Sequence, residues 1–89
     1  MVKNYHCGDL LSPALQSMVE KKLAKLEKFG LNDMVVDVHM SKEGNDFALK
    51  LQLSSREHNL LAKAKSNDMY KNIDECIDKL SYQIRENKK

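Results

Sequence analysis

One proline and three glycines in 89 residues leave almost no punctuation from which a linker or a second domain could be built, so residues 1–89 read as one domain. A chain of this length buries roughly 60–65 % of its unfolded surface on folding. That is room for one core and too little for a large enclosed catalytic cavity, which argues against an enzyme. Cysteine is scarce as well. Cys7 and Cys76 stand far apart, no C-x-x-C occurs, and no His or Cys pair has zinc-ligand spacing. The expectation is two reduced thiols in or near the core of a cytoplasmic protein, with neither metal nor cofactor. No apolar run approaches the ~20 residues of a membrane span, and "MVKNYHCGDLL" lacks the apolar segment of a signal peptide, so no membrane role is expected. A dominant charge sign is also missing. Fifteen Lys and Arg against thirteen Asp and Glu leave a net charge of +2, so attraction for a polyanion has to come from the arrangement of charges rather than their sum. There is no Gly-rich phosphate loop, and His6, His39 and His58 form no nucleophile-and-base pattern visible in sequence. A small-molecule substrate is not expected.

What is present is periodicity. "VKNYHC" reads as a short strand ended by Gly8 and Asp9. "SPALQSMVEKKLAKLEKFG" reads as a helix with Ser12 as N-cap, Pro13 at the first helical position and Gly30 just past the end. Leu15, Met18, Val19, Leu23, Leu26 and Phe29 recur at helical spacing along one stripe. "MVVDVHM" and "FALKLQL" alternate with period two, putting Met34, Val36, Val38 and Met40 on one face and Phe47, Leu49, Leu51 and Leu53 likewise, with "KEGND" as the hairpin loop. "LLAKAKS" alternates again, with Leu60, Ala62 and Ala64 inward. In "NDMYKNIDECIDKLSYQI", Met69, Ile73, Cys76, Ile77, Leu80 and Ile84 fall on one helical arc, and Asn67 or Asp68 can cap it. The predicted class is α+β in the order β-α-β-β-β-α. Both helices cover one face of a four-stranded mixed sheet, and the other face, with Lys50, Gln52, Lys63 and Lys65, stays wet. The helical crossover lets the first two strands lie parallel with a right-handed connection, and the last three form an antiparallel meander.

Three groups of polar residues could carry function. Lys21, Lys25 and Lys28 share a strip beside the apolar stripe of the first helix, with Lys22 at the stripe's other edge and Glu20 and Glu27 diluting the charge. Ammonium groups held on a rigid helix can follow phosphates, each contact releasing condensed counterions; the same spacing also describes a solvated helix flank. Lys79, Arg85, Lys88 and Lys89 gather toward the end of the second helix, where the dipole favours cations in any case. Asp74 and Asp78 lie four apart, but with no histidine near them in sequence they read as an exposed acidic flank rather than a metal or acid/base pair. Tyr70 reads as packing over a sheet edge.

The stretch "AKAKSNDMYKNIDECIDKLSYQI" resembles the C-terminal signature of the ribosome hibernation-promoting factors, also called ribosome-associated inhibitor or protein Y. Asp68, Met69 and Tyr70, then Ile73 and Asp74, then Asp78, Lys79, Leu80 and Gln83 stand at the family's motif positions. The first helix is similar too, with Ala14, Leu15, Val19, Glu20, Lys21, Lys22, Leu23, Lys25, Leu26, Glu27 and Lys28 in register. The resemblance implies a ribosome-binding domain of stress or stationary phase that sits in the decoding channel of the small ribosomal subunit, against 16S rRNA. It would there block messenger and transfer RNA sterically and reversibly. It implies RNA-facing roles for Lys21, Lys22, Lys25, Lys28, Lys79 and Lys88. Tyr82 stands where an arginine is common and can stack on a base or ribose, Arg85 adds a cation, and Gln16 and Glu86 replace residues usually basic. Because only "RENKK" follows Ile84, the chain is expected to inactivate single ribosomes, with paired ribosomes requiring a separate partner such as a ribosome modulation factor. The alternative is a protein-interaction module on the same fold with little affinity for RNA.

Overall fold

The alternating segments form four strands, β1 (Val2–His6), β2 (Val35–Glu43), β3 (Asp46–Ser54) and β4 (Asn59–Ser66), and the segments of helical spacing form α1 (Pro13–Glu27) and α2 (Met69–Glu86), in the order β-α-β-β-β-α. The computed structural model describes residues 2–28, 33–56 and 58–86. The strands lie side by side in chain order. β1 runs parallel to β2 with Val2 opposite Val35, and β2–β3 and β3–β4 are antiparallel, as the crossover and the meander require.

The local signals act where the residue chemistry puts them. Ser12 Oγ accepts from the Leu15 N–H at 3.1 Å and Pro13 opens α1; Phe29 and Gly30, expected to end that helix, lie outside the described residues. Asp68, not Asn67, caps α2, its Oδ1 accepting from the Tyr70 N–H at 2.9 Å. The loop expected across "KEGND" contracts to the two residues Gly44 and Asn45, because β2 and β3 continue pairing to Glu43 and Asp46. Gly44 has φ 63, the positive value that the first central position of a II′ turn demands and that glycine adopts without steric cost.

Period-two burial then builds one core. Met34, Val36, Val38, Met40, Leu49, Leu51, Leu53, Leu60, Ala62 and Ala64 are all buried beneath Leu15, Val19, Leu23 and Leu26 of α1 and Met69, Ile73, Cys76, Ile77, Leu80 and Ile84 of α2. Met18 and Phe47 sit at its margin, half-buried. Cys7 and Cys76 are free and buried, and burial pushes the Cys76 thiol up to about 12. One buried polar side chain has no counterpart in the periodic pattern. Asn72 donates from Nδ2 to the Phe47 carbonyl at 2.8 Å and accepts from Ser66 Oγ at 2.7 Å, tying the first turn of α2 to the ends of β3 and β4. No helix among the described residues is long and apolar enough to cross a membrane.

Candidate nucleic-acid interface

At 100° per residue, Lys21, Lys25 and Lys28 point away from the stripe that α1 buries. All three are exposed, and among the described residues none is paired with a carboxylate. The two flanks differ from the arrangement expected of them. Lys22 turns toward α2 and pairs with Asp74 at 3.0 Å, so it joins the helices. Glu20 turns the other way, toward β1, where it accepts from Tyr5 Oη at 3.1 Å and from Gln16 Nε2 at 3.2 Å. These two bonds, Gln16 first, hold the Glu20 carboxyl below its ordinary value, while burial and the same carboxylate push Tyr5 up to about 12. Of the two acids expected to dilute the lysine strip, Glu20 is thus committed to the opposite side of the helix, while Glu27 stays half-buried in the last turn of α1.

The second-helix residues separate into a different region. Lys79 Nζ donates to the Lys63 carbonyl at 2.7 Å, and Gln83 Nε2 donates to the Leu61 carbonyl at 2.9 Å. Both acceptors belong to β4, which pairs with β3 alone, so these side chains satisfy backbone groups along an open sheet edge that would otherwise recruit another strand. Lys79 also approaches Glu75 at 3.7 Å. Tyr82, one turn from Lys79, is 64 % exposed, and Arg85 is exposed in the last turn. Lys88 lies outside the described residues. Tyr70 is exposed rather than packed over a sheet edge, and it borders a shallow depression with Leu10, Phe47 and Met69. Asp74 is exposed and committed to Lys22.

The wet face of the sheet holds an arrangement that periodicity alone could not show. Strand pairing sets His6 opposite His39, His39 opposite Lys50, and Lys50 opposite Lys63. A single rung therefore crosses all four strands as His-His-Lys-Lys. The two imidazoles stack, with centroids 4.5 Å apart and planes 11° from parallel. Asp37 lies beside them, accepting from Asn4 Nδ2 at 3.3 Å and 3.3 Å from His6 Nε2. Burial, then Lys50 and His6, hold His39 below the ordinary imidazole value. Sequence reading missed the rung because it depends on inter-strand register; the only hint was that His6, His39, Lys50 and Lys63 all occupy wet positions.

The chain is thus a four-stranded sheet with two helices on one face, an exposed cationic helix flank and an open sheet face that carries Lys50, Lys63 and Lys65. A family model described as "Sigma 54 modulation protein / S30EA ribosomal protein" matches residues 10–89. The chain is 35 % identical over 74 residues to ribosome-associated factor Y of Haemophilus influenzae, covering 83 % of this chain and 69 % of that protein. It is 33 % identical over 81 residues to the ribosome hibernation promotion factor of Bacillus subtilis, covering 88 % of this chain and 43 % of that one. A ribosomal subunit interface protein from Coxiella burnetii shares the fold with a TM-score of 0.84 at 22 % identity, over 99 % of this chain and 98 % of that one. The Thermus thermophilus protein Y N-terminal domain does so at 0.83 and 25 %, over 97 % and 98 %. The chain belongs to the hibernation-promoting factor and protein Y family, a family of ribosome-associated factors and not of enzymes.

Proposed function

We propose that this protein is a ribosome hibernation factor that binds the small ribosomal subunit in its decoding channel and inhibits translation by occupying the space of messenger RNA and transfer RNA anticodon ends, in the cytoplasm, under stress or in stationary phase. The observation that carries this reading is the Lys21, Lys25 and Lys28 strip on a well-anchored helix, exposed and in no ion pair among the described residues, in a chain whose relatives are named for ribosome association and hibernation. Each lysine that meets a phosphate releases condensed counterions, so a few such contacts give substantial, salt-dependent affinity without base readout. Inhibition needs no chemistry, only a folded body held in the channel; salt or a competitor reverses it. Pairing of ribosomes falls to a separate partner such as a ribosome modulation factor.

The test is sedimentation of the purified protein with isolated small and large subunits, with and without messenger and initiator transfer RNA, alongside a cell-free translation assay. The reading expects comigration with small subunits, displacement by the RNA ligands and loss of translation. Failure to comigrate with small subunits, with translation unaffected, would overturn it in favour of a protein-interaction module.

A further inference from the structure

We propose that the wet face of the sheet is a second RNA-contact surface, on which the His6–His39 stack receives a base of a single-stranded segment while Lys50 and Lys63 receive its flanking phosphates. The inference rests on the reading above only in taking RNA as the partner, and it concerns the face opposite both helices.

Three features of the rung point to an anionic, flat ligand. First, Lys50 and Lys63 lie directly opposite each other on neighbouring strands, an arrangement of like charges that destabilises a sheet. Among the described residues neither lysine has an ion-pair partner. Of the acids on this face among the described residues, Asp37 is used by His6 and Asn4, Glu43 by Lys65 at 3.0 Å, and Asp46, opposite Glu43, acts on the same Lys65. A local rule broken with no compensation inside the fold is the mark of a functional position. Second, the β4 edge beside the rung carries Lys79, which is bonded to the Lys63 carbonyl and lies 3.7 Å from Glu75, and the exposed ring of Tyr82 one turn further on. Two of the α2 residues expected to face RNA thus lie along the β4 edge next to the rung, away from the α1 strip.

Third, the shape suits a base. On the neighbouring rung Ser41, Ala48 and Lys65 pair across β2, β3 and β4, and the small Ser41 and Ala48 side chains leave a shallow concavity of about 700 Å³ walled by His6, His39, Lys50, Lys63 and the Lys65–Glu43 ion pair. Flat rings standing on a sheet face stack bases regardless of base identity, and lysines beside them track the backbone. The imidazole planes, already near parallel and with His6 held by Asp37, present such a platform.

The probe is a fluorescein-labelled oligouridylate of about ten nucleotides, titrated by anisotropy into the full chain, with two-dimensional amide NMR spectra recorded on the same samples. The expected result is that Lys50→Glu with Lys63→Glu lowers affinity at least about tenfold and makes the slope of log affinity against log salt shallower by about 1.4, two phosphates' worth for a single strand. His39→Ala should lower affinity about five- to a hundredfold. In the unmodified chain, shifts should concentrate at His6, His39, Lys50 and Lys63. Unchanged affinity in both variants, shifts confined to α1, or no binding of the oligonucleotide by the unmodified chain would each overturn the proposal. Sedimentation of the same preparation with small subunits separates that failure from failure of the hibernation reading.

Discussion

Replacing Asn72 by alanine should cost about 2–4 kcal/mol of stability, a figure that follows from the bonds this side chain makes. Asn72 is fully buried. Its Nδ2 serves the Phe47 carbonyl at 2.8 Å and its Oδ1 takes the Ser66 hydroxyl at 2.7 Å, and Phe47 and Ser66 are themselves register partners at one end of the β3–β4 ladder. Alanine removes the donor to a part-buried carbonyl, a loss of about 1–3 kcal/mol. The Ser66 hydroxyl suffers less, because it also bonds to the Asp68 carbonyl at 3.0 Å. The missing carboxamide leaves a void of roughly 40 Å³, which at about 24 cal/mol per Å³ adds about 1 kcal/mol. For a domain of this size, whose total stability is on the order of 4–13 kcal/mol, that is a large fraction. Urea unfolding followed by circular dichroism reads it directly. With a slope of about 1 kcal/mol/M, the midpoint should fall by about 2 M or more. Ser66→Ala should cost less, and the double variant should cost less than the two singles together, because they share one bond. A loss below about 1 kcal/mol in Asn72→Ala, with an additive double variant, would refute the clamp.

Ile73→Ala, at a fully buried position, should cost about 2–4 kcal/mol by transfer and cavity terms in the same melt; a loss under about 0.5 kcal/mol would mean α2 presents another face to the sheet. Lys63→Glu, which turns a like-charge cross-strand pair with Lys50 into an attractive one, should raise stability by about 0.2–1 kcal/mol, measured by the urea midpoint at low salt; a fall would remove the argument that the rung is frustrated. Alkaline pH should weaken the fold. The buried Cys76 thiol is pushed up from its ordinary 9.0 to about 12, so above about pH 9 the unfolded chain loses a proton that the folded chain keeps. Stability is therefore full below pH 9 and declines toward pH 12, at up to about 1.4 kcal/mol per pH unit. Urea midpoints at pH 7.5, 9 and 10.5 should show the decline, and Cys76→Ala should lessen it, leaving the share of Cys7, whose thiol burial also raises, and above pH 10 that of Tyr5, raised to about 12.

The elements were legible because each rests on short-range physics. Period two marks the strands, helical spacing marks the two stripes, and Ser12, Pro13 and Asp68 have the side chains that helix starts need. Lys21, Lys25 and Lys28 were legible for the same reason, since one helix fixes their mutual placement. Contacts between elements were not. Nothing in the spacing of Lys22 or Asp74 says that α1 and α2 approach closely enough to pair them, nor that Lys79 and Gln83 bend onto the β4 edge. The histidine rung needed two registers at once, one pinned by the tight Gly44–Asn45 turn and the other carried through the long α1 crossover. Asn72 was hidden because a buried polar residue within an apolar arc looks like a solvent-side one until its partners on other strands are known.

The central claim is that the α1 lysine strip meets ribosomal RNA, and the most direct measurement is the affinity of Lys25→Glu with Lys28→Glu for isolated small subunits across a salt series. Both residues are exposed, so the circular dichroism spectrum and urea midpoint should match those of the unmodified chain. The account predicts for the unmodified chain a log–log salt slope of roughly −3 to −5, from four to six phosphate contacts. For the double variant it predicts a shallower slope and affinity at least about tenfold weaker. Undiminished binding by a normally folded double variant, or a flat salt response in the unmodified chain, would contradict it.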